Sequence, residues 1–569
     1  MLRRFREHDA REVRDLRGVW DFAFLGEVDP DDVDVSGIEF DDRMAVPGCF
    51  DATPSYAGMR GLVAYRTRAK LPRGRRYRLI LDGVHHWGRV FVNGKALRDH
   101  AGGFTRFSTD FEAPAPGEAE VVVLADNRFD YQRCPLHLDY FDWYHYGGIA
   151  RGAELHGLGQ VWIDALRVVT EDLARRRLMV TIHYGAEAAP GETDLSVSFD
   201  GEVVLSEKLD LKEPAGEIVR TLEVPGAPLW SPDDPNLHLL HVRLGEDDMR
   251  ERVGIRQVRA EGRQILLNDE PVRLVGLARH EFHPQSGHGL PDQVLVGDAQ
   301  LLREMGCNFV RGAHYPQDVR WLDLCDEMGI LVWSEGIAWQ HKAEHLTDPR
   351  FLEAQMTHLE EMVTGAINRP SVIIWGTLNE CDSDDPKCRP GYEKMLGRLR
   401  ELDPTRLISF ASHRPFDDIC LDLVDVISVN CYPGWYHGTV ADVPKHLDRI
   451  SAHLDSHGHA DKPMMISEIG AGAVWGWRDS HGDLWTEQYQ SALIDATLRH
   501  LLVETDRWCG VSLWQFCDVR SSSARARILG RPRAFNNKGV VDEYRRPKMA
   551  YEVVKRYYGD ARAKDERGG

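Results

Sequence analysis

Apolar and polar positions alternate in short runs through the first part of the chain. RYRLILDGV (76–84), WGRVFVNGKAL (87–97) and AEVVVLADN (119–127) carry the two-residue period of half-buried strands. Gly, Pro and Asn-Gly turn signals separate them, and no helical period survives a full window. Residues 1–158 therefore predict an all-β jelly-roll sandwich. A second alternating stretch, 159–256, holds the runs RLMVTIHY, TDLSVSFDGEVVL and GEIVRTLEV. Its length and spacing predict an immunoglobulin-like sandwich, without the Cys…Trp…Cys pattern of antibody domains.

From 257 the pattern changes. Continuous apolar runs appear at 272–278, 308–313, 330–336, 371–378, 407–412, 425–430, 463–468 and 509–516. Amphipathic stretches lie between most of them. In FLEAQMTHLEEMVTGAI (351–367), residues 352, 356, 359, 363 and 367 track a 3.6-residue period. Eight buried strands with crossover helices predict a (β/α)8 barrel over 257–569, with its active site at the C-terminal strand ends. His280, Arg311, Glu335, Glu380, Asn430, Glu468 and Trp514 all fall at such ends.

Two of these carry the chemistry. Glu380 closes SVIIWGTLNE and Glu468 sits in KPMMISEIG, 88 residues further on. Two rigidly held carboxyls roughly 5–5.5 Å apart suit glycosidic cleavage with retention, one donating a proton while the other attacks carbon. Glu380 as acid needs its pKa raised, and Glu468 as nucleophile needs to stay ionised. Asn379 beside the acid can bind a sugar hydroxyl. Aromatics near the predicted mouth, among them Tyr432, Tyr436 and Trp514, suit sugar faces. Asn536 and Lys538 alternate around Asn537, an arrangement able to hold a carboxylate. His280, His283 and His314 raise a zinc-hydrolase alternative, but strand alternation sends His280 and His283 to opposite faces.

Bulk properties narrow the partners. The 569 residues carry a net charge of −20, which disfavours nucleic acid or an anionic membrane. No apolar run is long enough to span a bilayer, and the basic N-terminus lacks the apolar core of a secretory signal. Ten scattered cysteines without a CxxC pair fit a reducing cytoplasm.

These residues resemble glycoside hydrolase family 2, and within it the β-glucuronidases, over nearly the whole chain. The likeness runs through HAGGFTRF (100–107), VGIRQVRAEGRQILLNDEPVRLVGLARHE (253–281), VRGAHYP (310–316), NCYPGWY (430–436), SEIG and SLWQF. The resemblance implies Glu380 as acid/base, Glu468 as nucleophile and Asn379 on the hydroxyl next to the reacting carbon. It places Tyr432 near the nucleophile and Tyr436, His314 and Trp514 around the sugar. Asp142 matches a position where the first domain lends a carboxylate. Asn536 and Lys538 match the pair gripping the uronic acid carboxylate, with an arginine just before them, Arg533 or Arg531, the spacing being off by one. No cofactor is implied, and an assembly of identical chains is expected. Cys381 and Ile469 depart from residues usual after the two glutamates, and the segment between Glu335 and 351 is short. A β-galacturonide or β-galactoside is the alternative substrate, and a non-catalytic carbohydrate-binding protein the alternative class.

Overall fold

The computed structural model describes residues 2, 4–74, 76–113, 117–522 and 530–568, with side chains to residue 561. Two sheets face each other at the start. The six-stranded one runs in the order Asp42–Val46, Gly18–Gly26, Leu62–Lys70, Glu118–Asp126, Trp87–Val92, Lys95–Ala101. The four-stranded one is Val13–Asp15, Ala153–Leu158, Arg76–Leu81, Phe107–Phe111. Trp20, Phe22, Tyr65, Tyr77 and Val90 fill the space between them. Asn93 and Gly94 turn one hairpin with φ of 50° and 76°, the paired positive values that an Asn-Gly two-residue turn supplies at least cost.

A second pair follows, a three-stranded sheet (Val161–Asp172, Arg177–Ala186, Ala215–Glu223) on a four-stranded one (Glu202–Leu211, Gly191–Phe199, His238–Leu244, Asp247–Val253). The antiparallel trio Val258–Glu261, Gln264–Leu267 and Glu270–Val272 then leads into the barrel. Ile265 and Leu267 of that trio share an apolar cluster with Leu274, Phe309 and Leu331 at the starts of barrel strands. The barrel floor is thus sealed, and its open end is left to function.

The barrel strands are Leu274–Arg279, Phe309–Gly312, Leu331–Glu335, Val372–Gly376, Leu407–Ser409 continued by Ala411–Ser412, Ile427–Asn430, Met464–Glu468 and Gly510–Leu513. All pair in parallel, and the first pairs with the last, closing the ring. The fifth is interrupted at Phe410, so one expected strand is two short ones. Helix Pro349–Ala366 shows how the pattern works locally. Asp348 caps it by accepting from the Arg350 N–H, Pro349 needs no donor at its position, and Phe351, Leu359, Met362 and Val363 bury one stripe. The expected sequence of β-sandwich, second β-sandwich and barrel is observed. No described helix is long and apolar enough to cross a membrane, and all ten cysteines are buried and unbridged.

Candidate active site

Strand ends supply the site, as barrel geometry requires. Arg311, fully buried in the second strand, is its electrostatic centre. Its Nη1 donates to Glu468 Oε1 (2.7 Å) and its Nε and Nη2 to both oxygens of Glu335 (2.8 and 3.0 Å). Nη2 also donates to Asn379 Oδ1 at 2.8 Å. One guanidinium is therefore shared by two buried carboxyls. Burial pushes Glu335 up, but Arg311 and then His314, 2.9 Å away, outweigh it and hold Glu335 below the ordinary carboxylate range.

For Glu468 the balance falls the other way. Burial pushes its carboxyl above the ordinary value, against Arg311, and Glu380 adds like-charge repulsion. The Tyr432 hydroxyl donates to Glu468 Oε2 at 2.6 Å and favours the ionised form. The chain beyond Glu468 passes so close to the eighth strand that a Cβ on Gly470 would lie 2.2 Å from the Trp514 carbonyl oxygen. Only glycine fits there.

Glu380 is held differently. Gln340 Nε2 donates to its Oε2 (2.8 Å) and Asn430 Nδ2 to its Oε1 (2.9 Å). Leu378 and Glu380 both have positive φ (66° and 51°), a costly conformation for side-chain-bearing residues. Neighbouring segments hold it: Asn379 N–H donates to the Ala338 carbonyl and Glu380 N–H to that of Ala411. Asn379 accepts from Arg311 and Asn430 through Oδ1, while its buried Nδ2 has no acceptor among the described residues.

An open cavity of about 940 Å³ lies above these groups. Glu380, Glu468, His314, Tyr432, Tyr436, Trp514, Asp142, Asn536 and Lys538 all line it. His314 stacks on Trp514, centroids 5.0 Å apart. Asp142 arrives from the first sandwich's side of the chain. The Ser521 hydroxyl donates to its carbonyl, and Arg531 grips its carboxylate through Nε and Nη2 (3.1 and 2.6 Å). Asn536 Nδ2 donates to the same carboxylate at 3.2 Å.

Lys538 is 2% exposed, and burial lowers its pKa. Its Nζ lies 3.0 Å from the Tyr436 hydroxyl and within 5.0–5.4 Å of the Tyr432, Trp435 and Tyr436 ring centres. Among the described residues no carboxylate lies within salt-bridge distance of it. A cation in an aromatic cage without a counter-ion is a ready carboxylate receptor.

Of the two arginines weighed beside this pair, Arg531 lines the cavity. Arg533, the one placed at the substrate in the sequence reading, instead turns to Glu543, 2.7 Å away. The backbone is not extended there, since Arg533 and Ala534 both have φ of 61°. Three other residues gained no role from sequence: Arg311, Glu335 and Gln340. Strand-end position marked the first two, but pairing of Arg311 with two glutamates across strands is a tertiary fact. His280 and His314 are ring neighbours, whereas His283 packs edge-on against Tyr544.

Comparison with known proteins finds relatives along nearly the whole chain. Residues 258–562, just over half the chain, match the model of the glycosyl hydrolases family 2 TIM barrel domain. The chain is 28% identical to a β-glucuronidase of Paenibacillus borealis across 97% of both proteins. A solved β-galacturonidase of Eisenbergiella tayi is 35% identical over 98% of both chains, with a TM-score of 0.91. The Dictyoglomus thermophilum β-D-glucuronidase structure is 26% identical over 97% of this chain and 98% of its own, with a TM-score of 0.82.

Proposed function

Because the chain belongs to glycoside hydrolase family 2, we propose that it is a retaining exo-acting β-uronidase, removing terminal β-D-glucuronosyl residues by double displacement. The observation that carries the uronide reading is Lys538, buried in the cavity holding both glutamates with no carboxylate of the described residues within salt-bridge distance. A neutral sugar would leave that charge desolvated and unpaired, whereas a substrate carboxylate between Lys538 and Asn536 restores the lost solvation through charge-assisted bonds.

Glu468, ionised and oriented by Arg311 and Tyr432, attacks the anomeric carbon as Glu380 protonates the departing oxygen. The bond to the aglycone breaks and an ester to Glu468 forms. The ester carries no charge, so Glu380 then takes a proton from water, which cleaves the ester and returns both carboxyls to their starting states. Asn379 Nδ2, buried without an acceptor, supplies a donor for the hydroxyl beside the reacting carbon.

The E. tayi β-galacturonidase, more similar than the glucuronidases quoted above, favours galacturonide as the second reading. The two acids share the carboxylate and differ at one hydroxyl. Hydrolysis of matched aryl β-glucuronide, β-galacturonide, β-galactoside and β-glucoside tests the proposal. Turnover confined to uronides, glucuronide foremost, is expected. Galacturonide foremost would move the sugar assignment, and turnover of neutral sugars would overturn the role of Lys538.

A further inference from the structure

Away from the active site, His86, His137 and His145 form a closed cluster. Each is at most 1% exposed. One ring nitrogen from each lies within 4.8 Å of the others. Five of the six ring nitrogens (His86 Nδ1 and both of His137 and His145) have no hydrogen-bond partner among the described residues. Such orphaned buried polar atoms are uncommon and each is costly. The Gly102 carbonyl is near His137 but outside hydrogen-bond geometry. The rings meet nearly edge to face, with centroids 4.7, 5.1 and 5.2 Å apart and interplanar angles of 82°, 66° and 77°.

The ring-centre spacing is that of three imidazoles sharing one ion. With a metal–nitrogen bond of about 2.0–2.1 Å, three ligands of a tetrahedral centre put their ring centres roughly 5 Å apart. Burial lowers all three histidines below their ordinary pKa, so they are neutral, the state that ligates.

Arg60 lies beside the cluster. Its Nη1 donates to the Asn127 and His145 carbonyls and stands 3.4 Å from His86 Nε2. A nearby guanidinium opposes an ion held mainly by charge, such as calcium or magnesium, and leaves one held by strong nitrogen coordination.

We propose that His86, His137 and His145 bind a structural zinc-class divalent ion. His137 and His145 flank Asp142 in sequence, while His86 adjoins the strand Trp87–Val92 of the first sandwich. The ion would fasten the segment carrying Asp142 to that sandwich, holding Asp142 at the barrel mouth.

The test is metal analysis of the full-length protein purified with zinc present, followed by exchange for cobalt. About one zinc per chain is expected, with visible bands of a tetrahedral cobalt–histidine centre and a lower Tm after chelation. The double variant His137→Gln/His145→Gln loses the metal, and His283→Gln keeps it. Metal below about 0.1 per chain after reconstitution, with no Tm change on adding zinc or cobalt, would overturn the proposal and leave a buried water as occupant. Retention of metal by the double variant would overturn it equally. The wild-type stoichiometry and cobalt spectrum decide the matter even if that variant fails to fold.

Discussion

The Tyr432 hydroxyl makes one 2.6 Å bond to Glu468 and hence offers a clean perturbation. Tyr432→Phe removes that donor while keeping the ring that walls the cavity. A charge-assisted hydrogen bond in a buried site is worth about 1.5–3 kcal/mol. At about 1.4 kcal/mol per pKa unit, its loss raises the Glu468 pKa by roughly 1–2 units. Burial already holds this carboxyl above the ordinary range. The nucleophile works only when ionised, so activity is lost as pH falls through its pKa, and a higher pKa moves that loss to higher pH. The assay is kcat/KM against pH for an aryl β-glucuronide, which reports the free enzyme's groups. An acid limb displaced upward by roughly 1–2 units is expected. An unmoved limb with a uniform drop at every pH would refute the electrostatic role of Tyr432.

Further outcomes follow from the same contacts. Lys538→Ala should weaken uronide kcat/KM by about 1.5–3 kcal/mol while leaving neutral aryl glycosides unaffected; equal losses on both would dismiss the carboxylate receptor. Glu380→Ala should spare activated aryl leaving groups far more than alkyl ones, and azide should restore turnover; a uniform, unrescued loss would speak against an acid/base role. Arg531→Ala should raise KM by freeing the Asp142 carboxylate, whereas Arg533→Ala, which loses contacts to Glu543 and Asp518 outside the cavity lining, should leave KM unchanged. Denaturant titrations across pH probe the buried histidines. His288 and His358 fall to about 4 through burial, so the unfolded chain takes up protons that the folded one refuses below pH 6.5. Each should cost about 2 kcal/mol of stability by pH 5, and a flat stability profile between pH 6.5 and 5 would contradict their burial.

Much of this was legible because periodicity reports burial directly. The eight barrel strands and the helix at 349–366 fell within a few residues of expectation, since each is a continuous apolar run or a clear helical stripe. The interruption at Phe410 left no mark, because LISFAS is apolar on both sides of the break. Glu380, Glu468 and Lys538 stood out by strand-end position or alternation. Arg311 was visible as a strand-end charge, but its bonds to Glu335, Asn379 and Glu468 join four strand ends and no local spacing encodes them. Arg533 entered only by resemblance, with Arg531 as its alternative, and the structure puts Arg531 on the cavity while the Arg533 side chain pairs with Glu543. The histidine trio is likewise assembled from separate segments.

The central claim is that Glu468 becomes covalently bound to the sugar. Incubating the enzyme with a 2-deoxy-2-fluoro-β-glucuronosyl fluoride, then digesting it and mapping adducts by mass spectrometry, tests this directly. The account predicts loss of activity in step with one adduct, on Glu468. An adduct on another residue, or inactivation without any covalent adduct, would contradict it.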